Sequence, residues 1–146
     1  APDAWITVEK ILEPGEQMPA GWPVQGTTGY DAMREVNGVF VDPGHEPELT
    51  ALYQRLTGDE LTIAEHIERG KRMIVTELLV AELRRMAALV PEVPEAHDAL
   101  AEIAVAFGVY RSYLPQGAEQ LDRAMAVATE RNPGLAAPIA ALSDRL

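Results

Sequence analysis

Glu9 is the residue of this sequence best placed to do chemistry. It stands near the end of an apolar, β-branched run, Trp5-Ile6-Thr7-Val8-Glu9-Lys10-Ile11-Leu12, that closes at Glu13-Pro14-Gly15. Such a run predicts a strand followed by a turn. In parallel α/β barrels the C-terminal ends of the strands deliver catalytic side chains into a common mouth, where a shielded carboxylate can act as a general acid or base. The competing role is a rim glutamate, solvated or paired with Lys10. The strand taken alone favours that competitor, because position in a fold does not confer function. Side chains alternate across a strand, so Trp5, Thr7 and Glu9 share one face while Ile6, Val8 and Lys10 share the other. Lys10 should therefore point away from Glu9, toward packing or solvent outside a barrel.

A second group lies in Trp22-Pro23 and Gly26-Thr27-Thr28-Gly29-Tyr30-Asp31. Trp22 and Tyr30 are aromatic residues in a polar loop, with the hydrogen-bonding groups of Thr27, Thr28 and Asp31 close by in sequence. A plain turn explains the glycines equally well. The loop is not a phosphate cradle, since the Walker spacing and its lysine are missing. Tyr110 and Arg111 sit in an alternating, β-prone hexapeptide, Val109 to Leu114, closed by Pro115-Gln116-Gly117. His45, His66 and His97 are widely separated, with no partner at ligand spacing, which favours surface histidines over metal ligands. The series Glu65, Glu68, Glu77 and Glu82, with Arg69, Arg72 and Arg85 as neighbours, reads as the solvated face of a helix. The methionines are expected in the core.

The elements that must position these residues change character near residue 45. Before it, Pro14, Gly15, Pro19, Gly21, Pro23, Gly26, Gly29, Gly38, Pro43 and Gly44 impose turns and short extended pieces, with Val36 to Val41 a second candidate strand. After it the pattern is helical. Leu49, Leu52, Tyr53 and Leu56 predict a helix from Glu46 that stops at Gly58. Thr62 with Glu65 forms a capping-box signature at the head of a long amphipathic helix reaching Val90, before Pro91. Pro94 suits the first turn of a third helix, which runs to Gly108. Ala118 to Arg131 and Leu135 to Leu146 are predicted helices separated by Asn132-Pro133-Gly134. The domain reading is thus residues 1–45, a barrel strand with its following loop, and residues 46–146, a helical subdomain with a short strand near 109–114.

The whole chain of 146 residues is long enough to bury a core without disulfides or metals. It contains no cysteine, which excludes disulfide scaffolds, thiolate metal sites and cysteine nucleophiles. A formal charge of −11 repels phosphate backbones and anionic lipid, so neither nucleic acid nor a membrane is an expected partner. With neither an apolar span nor a leader pattern, a cytoplasmic protein is expected. The chain begins at Ala1 with no methionine, and a strand-like run starts almost at once; a piece of a longer protein is expected.

The words around Glu9 sharpen this reading. The run Trp5 to Leu12, then Gly15-Glu16, Pro19, Trp22-Pro23, Gly26 to Asp31, and finally Val36-Asn37-Gly38-Val39-Phe40-Val41-Asp42-Pro43, resembles the maltooligosyltrehalose synthase family, a branch of the α-amylase superfamily. The resemblance weakens after Leu56, where the charged helix around Lys71-Arg72 and the segment Phe107 to Tyr113 carry it. That segment departs from the family in having Gly108 where a proline is usual. The resemblance implies an intramolecular transglucosylation in which the reducing-end α-1,4 bond of a maltooligosaccharide becomes an α,α-1,1 bond. It implies that Glu9 is the general acid/base, that Tyr110 and Arg111 lie near the substrate together with the loop residues and Lys10, and that no cofactor is needed. The nucleophile and a third carboxylate would come from strands outside these residues, leaving the isolated piece inert.

The expected fold is mainly α, a helical insert region plus one or two strands of an incomplete (β/α)8 barrel, since so few strands cannot close one. The first forty-odd residues are expected to pack irregularly or against another copy of the chain. The competing function is a non-catalytic acidic helical interaction module, in which Glu9 is a rim residue.

Overall fold

The computed structural model describes residues 4–143 and 145 of the chain. The fold is mainly α, with one pair of short parallel strands, as expected. Residues divide into two compact units, one running up to Glu60 and including Val109–Arg111, the other comprising Leu61–Gly108 and Ser112–Leu146.

In the first unit the predicted eight-residue strand is reduced to β1, Thr7–Val8. It pairs in parallel with β2, Gly26–Thr27, with Thr7 opposite Gly26 and Val8 opposite Thr27. The N–H groups of Gln25 and Thr28 extend the ladder, donating to the carbonyls of Ile6 (2.9 Å) and Val8 (3.0 Å). The strand ends because the Lys10 N–H turns back onto the Val8 carbonyl at 3.1 Å, a three-residue turn that takes Glu9 out of the ladder. Gly29, at φ 103°, supplies the left-handed step from β2 into helix α1, Tyr30–Gly38.

That helix overturns the extended reading of Val36 to Val41. Its first three residues complete or follow α1, and the chain leaves through tight turns in which the N–H groups of Val39 and Val41 donate to the carbonyls of Val36 and Gly38. The valines' β propensity yields to the helix that the Gly29 turn starts. Asp42 then accepts from the Gly44 N–H at 2.9 Å and opens a 3-10 turn into helix α2, Glu46–Thr57, which stops at Gly58 (φ 71°) as the sequence indicates. Neither α1 nor α2 contains a buried residue. Among the described residues of this unit the one that is buried is Lys10.

The second unit carries the apolar core. Thr62 and Glu65 form the expected capping box, the Thr62 hydroxyl accepting from the Glu65 N–H (3.2 Å) and the Glu65 carboxylate from the Thr62 N–H (2.7 Å). The long helix predicted from here to Val90 is interrupted. Helix α3, Ile63–Met73, passes into a π turn at Ile74–Leu78, and α4, Val80–Ala87, follows. The physical cause lies in the β-branched run Ile74-Val75-Thr76, where the Thr76 hydroxyl donates to the Arg72 carbonyl at 2.9 Å and the Leu79 N–H reaches the Ile74 carbonyl at 2.8 Å. One inserted residue turns the apolar stripe, so Val75 and Leu83 meet the core while Ile74, Leu78 and Leu79 are exposed.

Helix α5, Ala96–Ala106, is the hub, packed against α3, α4, α6 (Ala118–Arg131) and α7 (Ala136–Ser143). Ala99 and Ala128 are fully buried, and small side chains there allow α5 and α6 to approach closely. Ile139 and Leu142 of α7 complete the core. Pro94 lies in the turn ahead of α5 and not within its first turn. Val109 to Leu114 forms no strand; Tyr113 makes a single antiparallel bridge to Gln116. The predicted helix from Leu135 begins with a 3-10 turn, Pro133–Leu135, and its residues 144 and 146 lie outside the described ones. Of the methionines, Met125 is buried, whereas Met33, Met73 and Met86 are exposed, which corrects their assignment to the core.

Part of the acidic series also does more than face solvent. Arg72 grips both carboxylate oxygens of Glu102, Asn132 donates to the same carboxylate at 2.8 Å, and Glu68 accepts from Arg72 (3.3 Å) and pairs with Arg131 (3.0 Å). These bonds tie α3, α5 and α6 together. The Arg72 guanidinium is the largest influence holding the Glu102 carboxyl below its usual range. A depressed folded-state pKa contributes stability above the unfolded value, about 4.3 for a glutamate, and loses it as pH falls through the folded value. Glu102→Gln should therefore lower the melting temperature at neutral pH and flatten its decline below about pH 4.5. Melting curves of both forms between neutral and acid pH provide the check, and parallel acid limbs would remove Glu102 from the account.

Candidate active site

Glu9 is the residue after β1, and because β1 and β2 are parallel with Val8 opposite Thr27, Glu9 and Thr28 emerge at the same C-terminal edge of the pair. Its side chain is exposed, and its Oε1 accepts a hydrogen bond from the Tyr30 hydroxyl at 3.0 Å. Tyr30 reaches Glu9 because the Gly29 turn sets it at the first position of α1, directly beyond β2. The bond leaves its mark on the phenol: donating to Glu9, and lying beside its negative charge, raises the Tyr30 pKa, with a smaller push from Tyr110 nearby. The phenol remains a protonated donor through the neutral and mildly alkaline range.

Thr27 and Asp31 fix each other across the same turn. The Thr27 hydroxyl donates to the Asp31 carboxylate at 2.7 Å and accepts from the Gly29 N–H at 3.1 Å. Donation from Thr27 is the largest of the influences that hold the Asp31 carboxyl below its ordinary range. Asp31 therefore stays ionised, in the first turn of α1, where the helix dipole also favours a negative charge.

The remaining candidates occupy different settings. Thr28 is exposed, with its N–H spent on the Val8 carbonyl. Trp22 is half-buried at a turn where its N–H donates to the Pro19 carbonyl at 3.2 Å. Lys10 is only 3% exposed, and its ammonium pairs with Glu16 at 2.5 Å and donates to the Arg111 carbonyl at 3.1 Å. Tyr110 and Arg111 have exposed side chains. The structure thus brings together Glu9 and Tyr30, links Thr27 to Asp31, places Tyr110 near Tyr30, and engages Arg111 through its backbone.

Two contributors escaped the sequence reading. Glu16 caps the turn at Pro14-Gly15, accepting from the Glu13 N–H at 3.0 Å, while its other oxygen holds Lys10. The signal was present, because a Pro-Gly turn folds the chain back and brings flanking residues such as Lys10 and Glu16 together. Arg34, on α1, donates to the Leu12 carbonyl at 3.1 Å and ties the exit of the β1 segment to the helix that carries Tyr30. No sequence signal announces that bond.

Chemically, this is a carboxylate held at one oxygen by a phenol, at the C-terminal edge of a parallel strand pair, with an ionised aspartate next in sequence to that phenol. Among the described residues no group of His, Cys, Asp and Glu is arranged to hold a metal ion, and no helix is long and apolar enough to cross a membrane.

No family model matches the chain. A Mycobacterium tuberculosis protein bearing the provisional name maltooligosyl trehalose synthase is 37% identical over 140 residues, which is 92% of this chain and 18% of that protein. The same match recurs in a second strain. Among solved structures, the maltooligosyltrehalose synthase from Arthrobacter ramosus superposes with a TM-score of 0.90 at 45% identity, covering 96% of this chain and 19% of that one, as does a single-site variant of it. The resemblance read from the sequence therefore extends over almost all of the chain, and the chain spans less than a fifth of the length of these relatives.

Proposed function

We propose that this chain is a piece of a maltooligosyltrehalose synthase, and that Glu9 is the general acid/base of the parent enzyme. The parent then converts the reducing-end α-1,4 bond of a maltooligosaccharide to an α,α-1,1 bond by intramolecular transglucosylation. The observation that supports this best is the placement of Glu9: exposed at the C-terminal edge of a parallel strand pair and oriented by the Tyr30 hydroxyl.

A retaining transfer needs one carboxylate to form a glycosyl-enzyme and another to move protons. Glu9 takes the second role. It protonates the glycosidic oxygen, which departs with the reducing-end glucose, as the glycosyl bond passes to a nucleophile elsewhere in the parent. The released glucose turns within its site, and the Glu9 carboxylate then removes the proton of the anomeric hydroxyl as that oxygen attacks the glycosyl-enzyme. With Tyr30 on Oε1, proton traffic runs through Oε2. Trp22 and Tyr110 supply apolar faces for sugar rings, and Thr28, Asp31 and Arg111 supply polar contacts to hydroxyls. Thr27 serves by fixing Asp31.

The reading is tested by Glu9→Gln in the full-length enzyme, assayed for both maltooligosyltrehalose and free glucose. Loss of both supports it, and wild-type levels of both overturn it. Tyr30→Phe tests the orienting bond separately. Because the hydroxyl donates to a charged acceptor from an exposed position, its loss should lower kcat about tenfold, with KM nearly unchanged. An unaltered kcat would show that Glu9 needs no such support.

A further inference from the structure

Lys10 adjoins Glu9 in sequence yet is the buried residue of its unit, and burying an ammonium is costly unless it is paired and hydrogen-bonded. Both conditions are met: Glu16 supplies the opposite charge and the Arg111 carbonyl a second acceptor. Both acceptors follow Lys10 in sequence, one by six residues and the other by 101. The nearer contact closes the Pro14-Gly15 turn onto the end of the β1 segment. The farther one is of another kind, since it fastens Val109–Arg111, a segment with no strand or helix of its own, to the residue beside Glu9. Tyr110, inside that segment, is the residue whose proximity contributes to raising the Tyr30 pKa.

We propose that Lys10 is a positioning residue: its ammonium docks the Val109–Arg111 segment alongside Glu9, so that Tyr110 stands next to the Tyr30–Glu9 pair and helps to enclose the acid/base. The inference rests on the acid/base reading of Glu9. It assigns Lys10 no contact with sugar, because its ammonium is committed to Glu16 and to Arg111. Held at one side by Tyr30 and flanked by Tyr110, the Glu9 carboxylate can take the proton of the released sugar's anomeric hydroxyl before water reaches the glycosyl-enzyme. An unscreened one loses that advantage, and enclosure is what separates transfer from hydrolysis.

The test uses the full-length enzyme with maltopentaose as substrate and three variants: Lys10→Met, Lys10→Met with Glu16→Met, and Glu9→Gln. The double variant removes the carboxylate that the single one leaves half-buried without its cation, so it keeps the proposal testable if Lys10→Met alone does not fold. We expect the double variant to melt close to the wild type while kcat stays down about ten- to a hundredfold, the scale of a misplaced catalytic group. The ratio of free glucose to maltooligosyltrehalose should rise in both Lys10 variants. A role confined to stability predicts instead that the double variant recovers kcat and product ratio together with its melting temperature, and that result overturns the proposal. If Glu9→Gln retains activity, the acid/base reading fails and takes this inference with it. If Glu9→Gln is dead while both Lys10 variants keep wild-type kcat and product ratio, the Lys10 inference alone fails.

Discussion

Full-length enzyme carrying Glu9→Gln should lose about a thousandfold in kcat, within the range by which a positioned acid or base accelerates proton transfer. KM for maltopentaose should move little, because glutamine occupies the same space and can still accept from the Tyr30 hydroxyl, while the remote sugar contacts are untouched. The loss arises twice, since the amide can neither protonate the departing glucose nor deprotonate the glucose that returns. The two halves can be separated with α-maltosyl fluoride, whose leaving group departs without a proton. The variant should regain much of its first-step rate on this substrate, seen as fluoride release, yet remain slow in transfer to added glucose. Recovery of both steps would place the acid/base elsewhere, and recovery of neither would mean that the substitution had disturbed the whole site.

How much of this site could be read before the fold was known depended on the range of each interaction. The helices α2 and α6, the Thr62 capping box and the Gly58 stop are local events set by residues within a few positions of one another, and they appear where the sequence puts them. The acid at the end of a strand was legible for the same reason. Errors arose where a longer-range effect prevailed. Val36 to Val41 has strand composition, but the Gly29 turn launches a helix that takes in its first residues. Ile74-Val75-Thr76 keeps helical periodicity, but back-bonding from Thr76 opens a π turn that no periodic count reveals. Val109 to Leu114 alternates as a strand should, yet a strand needs a neighbouring strand, and this segment instead gives its Arg111 carbonyl to the Lys10 ammonium, 101 residues away, and Tyr113 to a single bridge with Gln116.

The same distinction explains the exposed apolar side chains. Leu49, Leu52, Tyr53 and Leu56 recur along α2 at spacings that would serve a buried face, and all are exposed. Periodicity marks a face; it does not say what covers it. The chain spans less than a fifth of its relatives' length, and these side chains belong to the unit in which no apolar side chain is buried among the described residues.

Incubated alone with maltoheptaose, the 146-residue chain should give neither a trehalose-type product nor glucose above the level of a boiled control. A retaining enzyme sets its two catalytic carboxylates about 5–5.5 Å apart, one to attack and one to move the proton. Asp31, next in sequence to Tyr30, is a different kind of carboxylate, whose charge is stabilised by the Thr27 hydroxyl and by the first turn of α1. A carboxylate so well satisfied is a weak nucleophile. The support around Glu9 is thin as well: Tyr30 bonds it, while Lys10, Glu16 and Arg34 tie the flanking chain by hydrogen bonds and an ion pair, and no apolar side chain is buried among the described residues of their unit. The second unit, with Ile139, Leu142 and the Glu102 network, should still melt cooperatively, so an inactive sample can be shown to be folded. Product formation that survives purification and disappears with Glu9→Gln would defeat this prediction and place a nucleophile within the chain. Inactivity in a sample that melts cooperatively agrees with Glu9 supplying only half of a two-carboxylate mechanism.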